Sequence, residues 1–189
     1  VVGGYTLSCL GDERRYSHVL SKYGNSLSDE SLTQSFKFLK IKPKKYTFLE
    51  RGSDERQYNS PGIDLSIAGV CRSKYGTFSE YHTSLDNFDL VTIKGVSGSF
   101  KVVKRAIEIL MKKTIPISKV FCEPQMSNKG LYPTISMKDN RHFSQYLMDF
   151  LQYSDGKNDL DKISKLIGLN KKKILIFKNL LLKHKLISC

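Results

Sequence analysis

The residues able to do chemistry crowd into one stretch, Arg51 to Asn87, which reads RGSDERQYNSPGIDLSIAGVCRSKYGTFSEYHTSLDN. Its polar opening sets Asp54, Glu55 and Arg56 just after an apolar run through Tyr46, Phe48 and Leu49, and its close carries His82 within EYHTSLDN. Acids, a cation and an imidazole delivered at strand ends, separated by Gly and Pro, are how α/β proteins furnish sites at the carboxyl edge of a sheet. Asp54 and Glu55 are adjacent, so on an extended backbone they point to opposite sides and cannot act as a carboxylate pair. Imidazole is the commonest zinc ligand, and a carboxylate on its second nitrogen fixes the tautomer. Asp86 is within reach of His82 if the segment turns helical. The same residues are compatible with a polar loop pair closing a sheet, with Asp54 and Arg56 in salt bridges and His82 on the surface.

The elements that must position these groups follow from periodicity. Val1 to Leu10 is β-branched and apolar around Gly3-Gly4, which predicts a buried strand delivering Asp12 at its carboxyl end; a capping role in the following turn is the alternative for that acid. Arg14 to Tyr23 is polar, and His18 reads as a partly exposed loop histidine. Ser28-Asp29-Glu30 followed by Leu32, Phe36 and Leu39 predicts a capped helix with one buried face, ended by Pro43. Lys44 to Glu50 is the next strand. Ile63 to Val70, after the Pro61-Gly62 turn, reads as an apolar run, interrupted by Asp64 and Ser66, and predicts a parallel strand buried on both faces, and Arg72 to Phe78 is a loop. Phe100 to Lys113 has Val103, Ala106, Ile107 and Leu110 at helical spacing and lysines in the last turn, which suits a helix packed on a sheet. Cys122 and Glu123 have no His placed near them, which favours packing over nucleophilic chemistry.

The last fifty residues change character. Arg141 to Leu151 and Asp159 to Ile167 read as helices, Gly168-Leu169-Asn170 as a break, and the chain then runs as a long helix to about His184 before a short strand, Leu186 to Ser188. Helix, three-residue turn with Gly, helix is the helix-turn-helix pattern. Lys171, Lys172 and Lys173 open its second helix, where a DNA reader places contacts, but Ile174 to Leu182 is too apolar for one free face.

Composition narrows the classes further. At 189 residues the chain suits one domain or slightly more. No apolar run approaches the ~20 residues needed to span a membrane, and Val1 to Leu10 lacks the basic leader of a signal peptide. The four cysteines are scattered, without a C-x-x-C pair, so reduced thiols in a cytoplasm are expected. A net charge of +13 is compatible with nucleic acid or an acidic substrate, yet the lysines are spread along the whole chain.

Six short motifs, in order, carry a resemblance: Gly52 to Tyr58, Pro61 to Ser66, Glu80 to Asn87, Cys122 to Gln125, Gly130 to Thr134 and Tyr153 to Gly156. The first and third resemble the S-D-H and Y-H-T-x-x-D segments of zinc-dependent aminopeptidases. All six together resemble a bacterial aminopeptidase-like family associated with polysaccharide biosynthesis and ending in a winged helix. The resemblance implies an α/β fold, a partial zinc-aminopeptidase-like α/β sandwich over residues 1–116, a connector over 117–138 and a winged helix-turn-helix over 139–189. It implies zinc as cofactor, with Asp12 and His82 as metal ligands, and Asp54, Glu55, Arg56, Tyr81 and Asp86 as supporting or pocket residues. Glu55 stands where the wider zinc enzymes have His.

A two-metal site of that kind also needs a further His, a bridging Asp and a Glu pair that includes the general base. No such element is present in the chain. The expectation is therefore the C-terminal portion of a metallopeptidase-like hydrolase acting on a peptide or amide substrate, inactive as it stands, with no catalytic residue of its own. Self-association is compatible with this reading, and a membrane partner is not expected. The alternatives are a winged-helix DNA-binding regulator and a non-catalytic scaffold in surface-polysaccharide biosynthesis.

Overall fold

Two parallel strands of the N-terminal unit, one of them at the edge of its sheet, decide where its chemistry can sit. The computed structural model describes residues 2–131 and 141–189, and the chain divides into two units, residues 1–112 and 113–189. The first unit contains β1 (Gly4–Leu7), β2 (Ser17–Val19), α1 (Leu27–Phe38), β3 (Lys44–Tyr46), α2 (Glu55–Tyr58), β4 (Ile67–Cys71) and α3 (Ile93–Met111). The strands form one sheet in the order β1-β4-β2-β3. β1 pairs with β4 in parallel, Gly4 opposite Ile67 and Leu7 opposite Val70, whereas β2 runs antiparallel to β4.

β4 is buried at every residue, as the apolar run predicts, but it is flanked by one parallel and one antiparallel neighbour and begins at Ile67 rather than Ile63. Gly62, Asp64 and Ser66 all adopt left-handed φ values, of 87°, 43° and 57°, which no strand can accommodate. The turn therefore consumes the first residues of the apolar run. β1 is likewise shorter than Val1 to Leu10, and only Thr6 within it is buried.

α1 is held by a capping box in which Ser26 and Asp29 satisfy each other's backbone N–H groups. Leu32 and Phe36 on its inner face meet Val70 of the sheet and Val102, Val103 and Ala106 of α3. α3 starts at the Thr92 cap, seven residues before the apolar periodicity suggests. Val96-Ser97-Gly98-Ser99 is a poor helix former, and its small residues serve packing instead. A Cβ on Gly95 would lie 1.8 Å from the Gly11 carbonyl oxygen, so only glycine lets the helix seat on the turn that carries Asp12.

His18 departs from its expected place in a partly exposed loop. It sits in the middle of β2, fully buried, with Nε2 3.1 Å from Asp29 Oδ1. A polar residue is tolerated there because Asp29 also receives the Ser21 N–H and hydroxyl and the Ser26 N–H and hydroxyl. Burial pushes the Asp29 carboxyl up, but these donors outweigh it and bring it down to about 2.

The second unit contains β5 (Ile117–Ser118), α4 (Arg141–Gln152), α5 (Leu160–Leu166), α6 (Lys171–Lys183) and β6 (Ile187–Ser188). β5 and β6 pair antiparallel beside the helices. The core of the unit is aliphatic and aromatic, centred on Leu147, Phe150, Ile163, Ile174 and Leu181. The segment expected to be a connector belongs to this unit: Ile117 pairs with β6, and Met126 and Leu131 are buried in its core. The rest of that segment, including most of the Gly130 to Thr134 motif, lies outside the described residues. Asp159 caps α5 and Asn170 caps α6, which explains why the helix-turn-helix is readable from the sequence.

Candidate functional site

The site is built where β1 and β4 end. Because the two strands are parallel, the turns that follow them emerge side by side. Asp12 is buried in the first of these turns, and its carboxylate takes three hydrogen bonds: from Ser73 N at 2.8 Å on Oδ2, and from Ser73 Oγ at 3.0 Å and Arg14 N at 2.9 Å on Oδ1. A carboxylate has about four acceptor positions. One position, on Oδ2, has no donor among the described residues.

The loop that carries His82 is tied to the same turn. Two residues beyond Asp12, the Arg14 guanidinium makes a bidentate pair with Glu80, two residues before His82, at 3.1 and 2.5 Å. That partnership brings the Glu80 carboxyl down to about 2 and raises the Arg14 pKa. Burial raises the Cys9 thiol, and the negative charges of Asp86 and Asp12 raise it further, so the loop and the strand tip share one neighbourhood. Within the loop, Tyr81 packs edge-on to Phe78 and stacks on the His82 ring with centroids 3.9 Å apart. His82 is exposed and has a φ of 61°, an uncommon conformation for a non-glycine residue. Neither of its ring nitrogens has a hydrogen-bond partner among the described residues. The segment forms successive turns rather than a helix, and no hydrogen bond joins His82 to Asp86.

Asp54, Glu55 and Arg56 are arranged differently from an extended backbone. They lie at the start of the one-turn helix α2, where Asp54 and Arg56 are exposed and Glu55 is fully buried. Glu55 Oε1 accepts the Tyr75 hydroxyl and the N–H groups of Gly52 and Ser53, at 3.0 and 3.1 Å, and Oε2 accepts the Thr6 hydroxyl at 3.2 Å. Three of these bonds fall on Oε1 and one on Oε2. Burial alone would raise the Glu55 carboxyl, and the donors reverse this and hold it below the usual carboxylate range. Burial and the Glu55 carboxylate together drive the Tyr75 hydroxyl far up. Glu55 thus pins β1, the Gly52-Ser53 turn and the segment after β4 to one another.

Sequence reasoning did not identify Ser73, which holds Asp12, or Tyr75, which holds Glu55. It also passed over Arg72, a buried guanidinium lying 3.8 Å over the Tyr16 ring, whose Nε has no partner among the described residues. The available signal was the polar run Arg72-Ser73-Lys74-Tyr75 directly after a fully apolar strand. Among the described residues, no three His, Cys, Asp or Glu side chains converge as a metal site, and no helix is long and apolar enough to cross a membrane.

Comparison with known proteins agrees with this division. Residues 1–114 match a family described as a domain of unknown function (DUF4910), and residues 100–189 match a winged helix-turn-helix family. A Clostridium acetobutylicum protein, provisionally named as a polysaccharide biosynthesis protein with an aminopeptidase-like domain, is 32% identical over 173 residues, 90% of this chain and 40% of its own length. A crystal structure from the same organism, titled as a candidate peptidase, superimposes with a TM-score of 0.59 at 28% identity, covering 100% of this chain and 42% of the other. The chain therefore spans about two fifths of the length of these relatives.

Proposed function

The chain belongs to the DUF4910 family and runs on into a winged helix-turn-helix, and from that premise we infer that it is the C-terminal portion of an aminopeptidase-like metallohydrolase. In this reading Asp12 and His82 are two of the ligands of a zinc site. The remaining ligands and the general base come from polypeptide outside this chain.

The supporting observation is the Arg14–Glu80 pair, which ties the loop of His82 to the turn that carries Asp12. Asp12 keeps one acceptor position on a carboxylate oriented by Ser73 and Arg14, which is how ligating carboxylates are held. His82 offers ring nitrogens with no hydrogen bond of their own among the described residues, on a loop fastened by Arg14 and Glu80. This donor set fits half of a site. Zinc bound there would polarise a peptide or amide carbonyl and acidify a water molecule. The chain's own residues orient Asp12, present the imidazole and, through Glu55 and Tyr75, fix the strand tips that carry them.

Metal analysis of the full-length polypeptide tests this reading. The unaltered protein is expected to retain zinc stoichiometrically, and His82→Ala to lose at least half of it with unchanged circular dichroism. Full zinc content in that variant contradicts the assignment.

A second reading, DNA binding through α6, draws on Lys172 and Lys173, both exposed at its start. Against it, Lys171 is paired with Asp161 at 2.8 Å, and Leu175 and Ile176 on the same helix are 47% and 59% exposed, a surface better suited to protein contact.

A further inference from the structure

A guanidinium taken out of water keeps its charge and needs acceptors for its N–H groups. Two arginines of the N-terminal unit have them: Arg14 is paired with Glu80 and Arg105 with Glu108. Arg72 is the exception. It is 6% exposed and is the first residue after β4. Its backbone is fixed on both sides, by its own N–H to the Cys9 carbonyl and by Ser17 Oγ donating to its carbonyl. Its guanidinium stacks on the Tyr16 ring, 3.8 Å from the centroid. Stacking uses the face of the guanidinium and leaves the five N–H donors at its rim unused. Among the described residues none of these donors has an acceptor, and Nε is shut off from solvent as well.

The polar ends of this stack meet at α3. A Cβ on Gly98 would clash with the Tyr16 hydroxyl and stand 3.3 Å from Arg72 Nη1, so glycine is what lets both groups come up to the helix. Gly98 and Tyr16 are half-buried, which places their meeting point just under the surface. At 3.6 residues per turn Gly98 falls on the side of α3 that carries Val102 and Arg105, facing α1. Glu13 feels the Arg72 charge, but both of its oxygens are taken: Oε1 accepts the Thr92 hydroxyl at 2.7 Å and Oε2 pairs with Lys94 at 2.6 Å. Its carboxyl is lowered first by these two hydrogen bonds and only then by Arg72. Lys94, about one turn before Gly98, is thus engaged by Glu13, which leaves the Arg72 charge uncompensated.

We propose that Arg72 and the Tyr16 hydroxyl form a receptor for the carboxylate of a small organic acid. A carboxylate is planar and singly charged, so one guanidinium both neutralises it and matches it edge to edge. A phosphate dianion at the same point is left half-neutralised. The bound carboxylate accepts from Arg72 Nη1 and from the Tyr16 hydroxyl, and supplies the acceptor that the described residues do not. The site goes beyond the zinc reading, since it uses neither Asp12 nor His82.

The test follows the Arg72 Nε–H resonance by heteronuclear NMR of the full-length polypeptide, assigned through its absence in Arg72→Lys. Sodium acetate is expected to move this resonance along a saturable curve. Sodium chloride at equal ionic strength is expected to leave it in place, and sodium phosphate to bind more weakly than acetate. Tyr16→Phe keeps the ring beneath the guanidinium and removes only the hydroxyl; it should weaken acetate binding about 5-fold with unchanged circular dichroism. Should Arg72→Lys fail to fold, Tyr16→Phe carries the test. The absence of a saturable acetate shift overturns the proposal and gives Arg72 a partner within the protein or in water. A chloride shift equal to that of acetate, phosphate binding as tight as acetate, or unchanged acetate affinity in Tyr16→Phe each overturns it too. Because the readout is at Arg72, acetate held by zinc is not counted, and the two readings fail separately.

Discussion

Two buried acids stand at the same end of the sheet, and their surroundings separate structure from function. Glu55 is enclosed completely and takes four hydrogen bonds, from Tyr75, Gly52, Ser53 and Thr6. Asp12 is nearly as buried and takes three, from Ser73 and Arg14. Burial alone does not distinguish them. Their surroundings do: Glu55 joins three segments of the fold to one another, whereas Asp12 lies in a turn that Arg14 ties, through Glu80, to the exposed loop of His82.

Substitution can sharpen or break that contrast, and the largest effect is expected at Glu55. Glu55→Ala leaves the Tyr75 hydroxyl and the Ser53 N–H without their acceptor and the Gly52 N–H with only the Tyr75 oxygen, so urea denaturation should show a loss of about 3 kcal/mol or more. A loss below about 1 kcal/mol would remove its status as a structural anchor. Gly95→Ala should follow at about 2–3 kcal/mol, because its Cβ must displace the Gly11 carbonyl and with it the turn that carries Asp12. The same denaturation measurement checks it, and a neutral result would mean that the helix-to-turn contact does not position Asp12.

A smaller effect comes from Asp29, the third buried acid of the N-terminal unit, which resembles Glu55 in being enclosed by donors. Its folded pKa of about 2 lies below the unfolded value of about 3.9. Its contribution is therefore fully present above about pH 4 and is lost as pH falls through about 2. It amounts to about 2 kcal/mol. Asp29→Asn should flatten the stability profile across that window, and an unchanged acid limb would remove Asp29 as its source. The smallest effect on stability is expected at His82, where alanine should change the unfolding free energy by no more than about 0.5 kcal/mol, since the ring is exposed and makes no hydrogen bond among the described residues. A large loss there would place His82 with Glu55 as a structural group.

Much of this arrangement was legible in the sequence where local chemistry and tertiary placement agree. β4 is apolar throughout because it is central, α5 and α6 begin on side-chain caps, and Asp12 follows an apolar strand into a turn. The sequence misled where a long-range partner overrides the local signal. His18 is polar in a three-residue strand, and only Asp29, brought in by α1, makes its burial tolerable. The first turns of α3 look unfit for a helix because Gly95 and Gly98 are selected by contact with Gly11 and Tyr16, not by propensity. Of the adjacent acids Asp54 and Glu55, nothing local says which one turns inward. That is decided by Tyr75, twenty residues further on.

The most direct measurement of the central claim is anomalous scattering at the zinc edge from crystals of the full-length polypeptide. The account predicts a peak about 2.0–2.2 Å from a carboxylate oxygen of Asp12 or the imidazole of His82, and none at Glu55. A zinc peak distant from both Asp12 and His82, or a peak bound to Glu55, would contradict it.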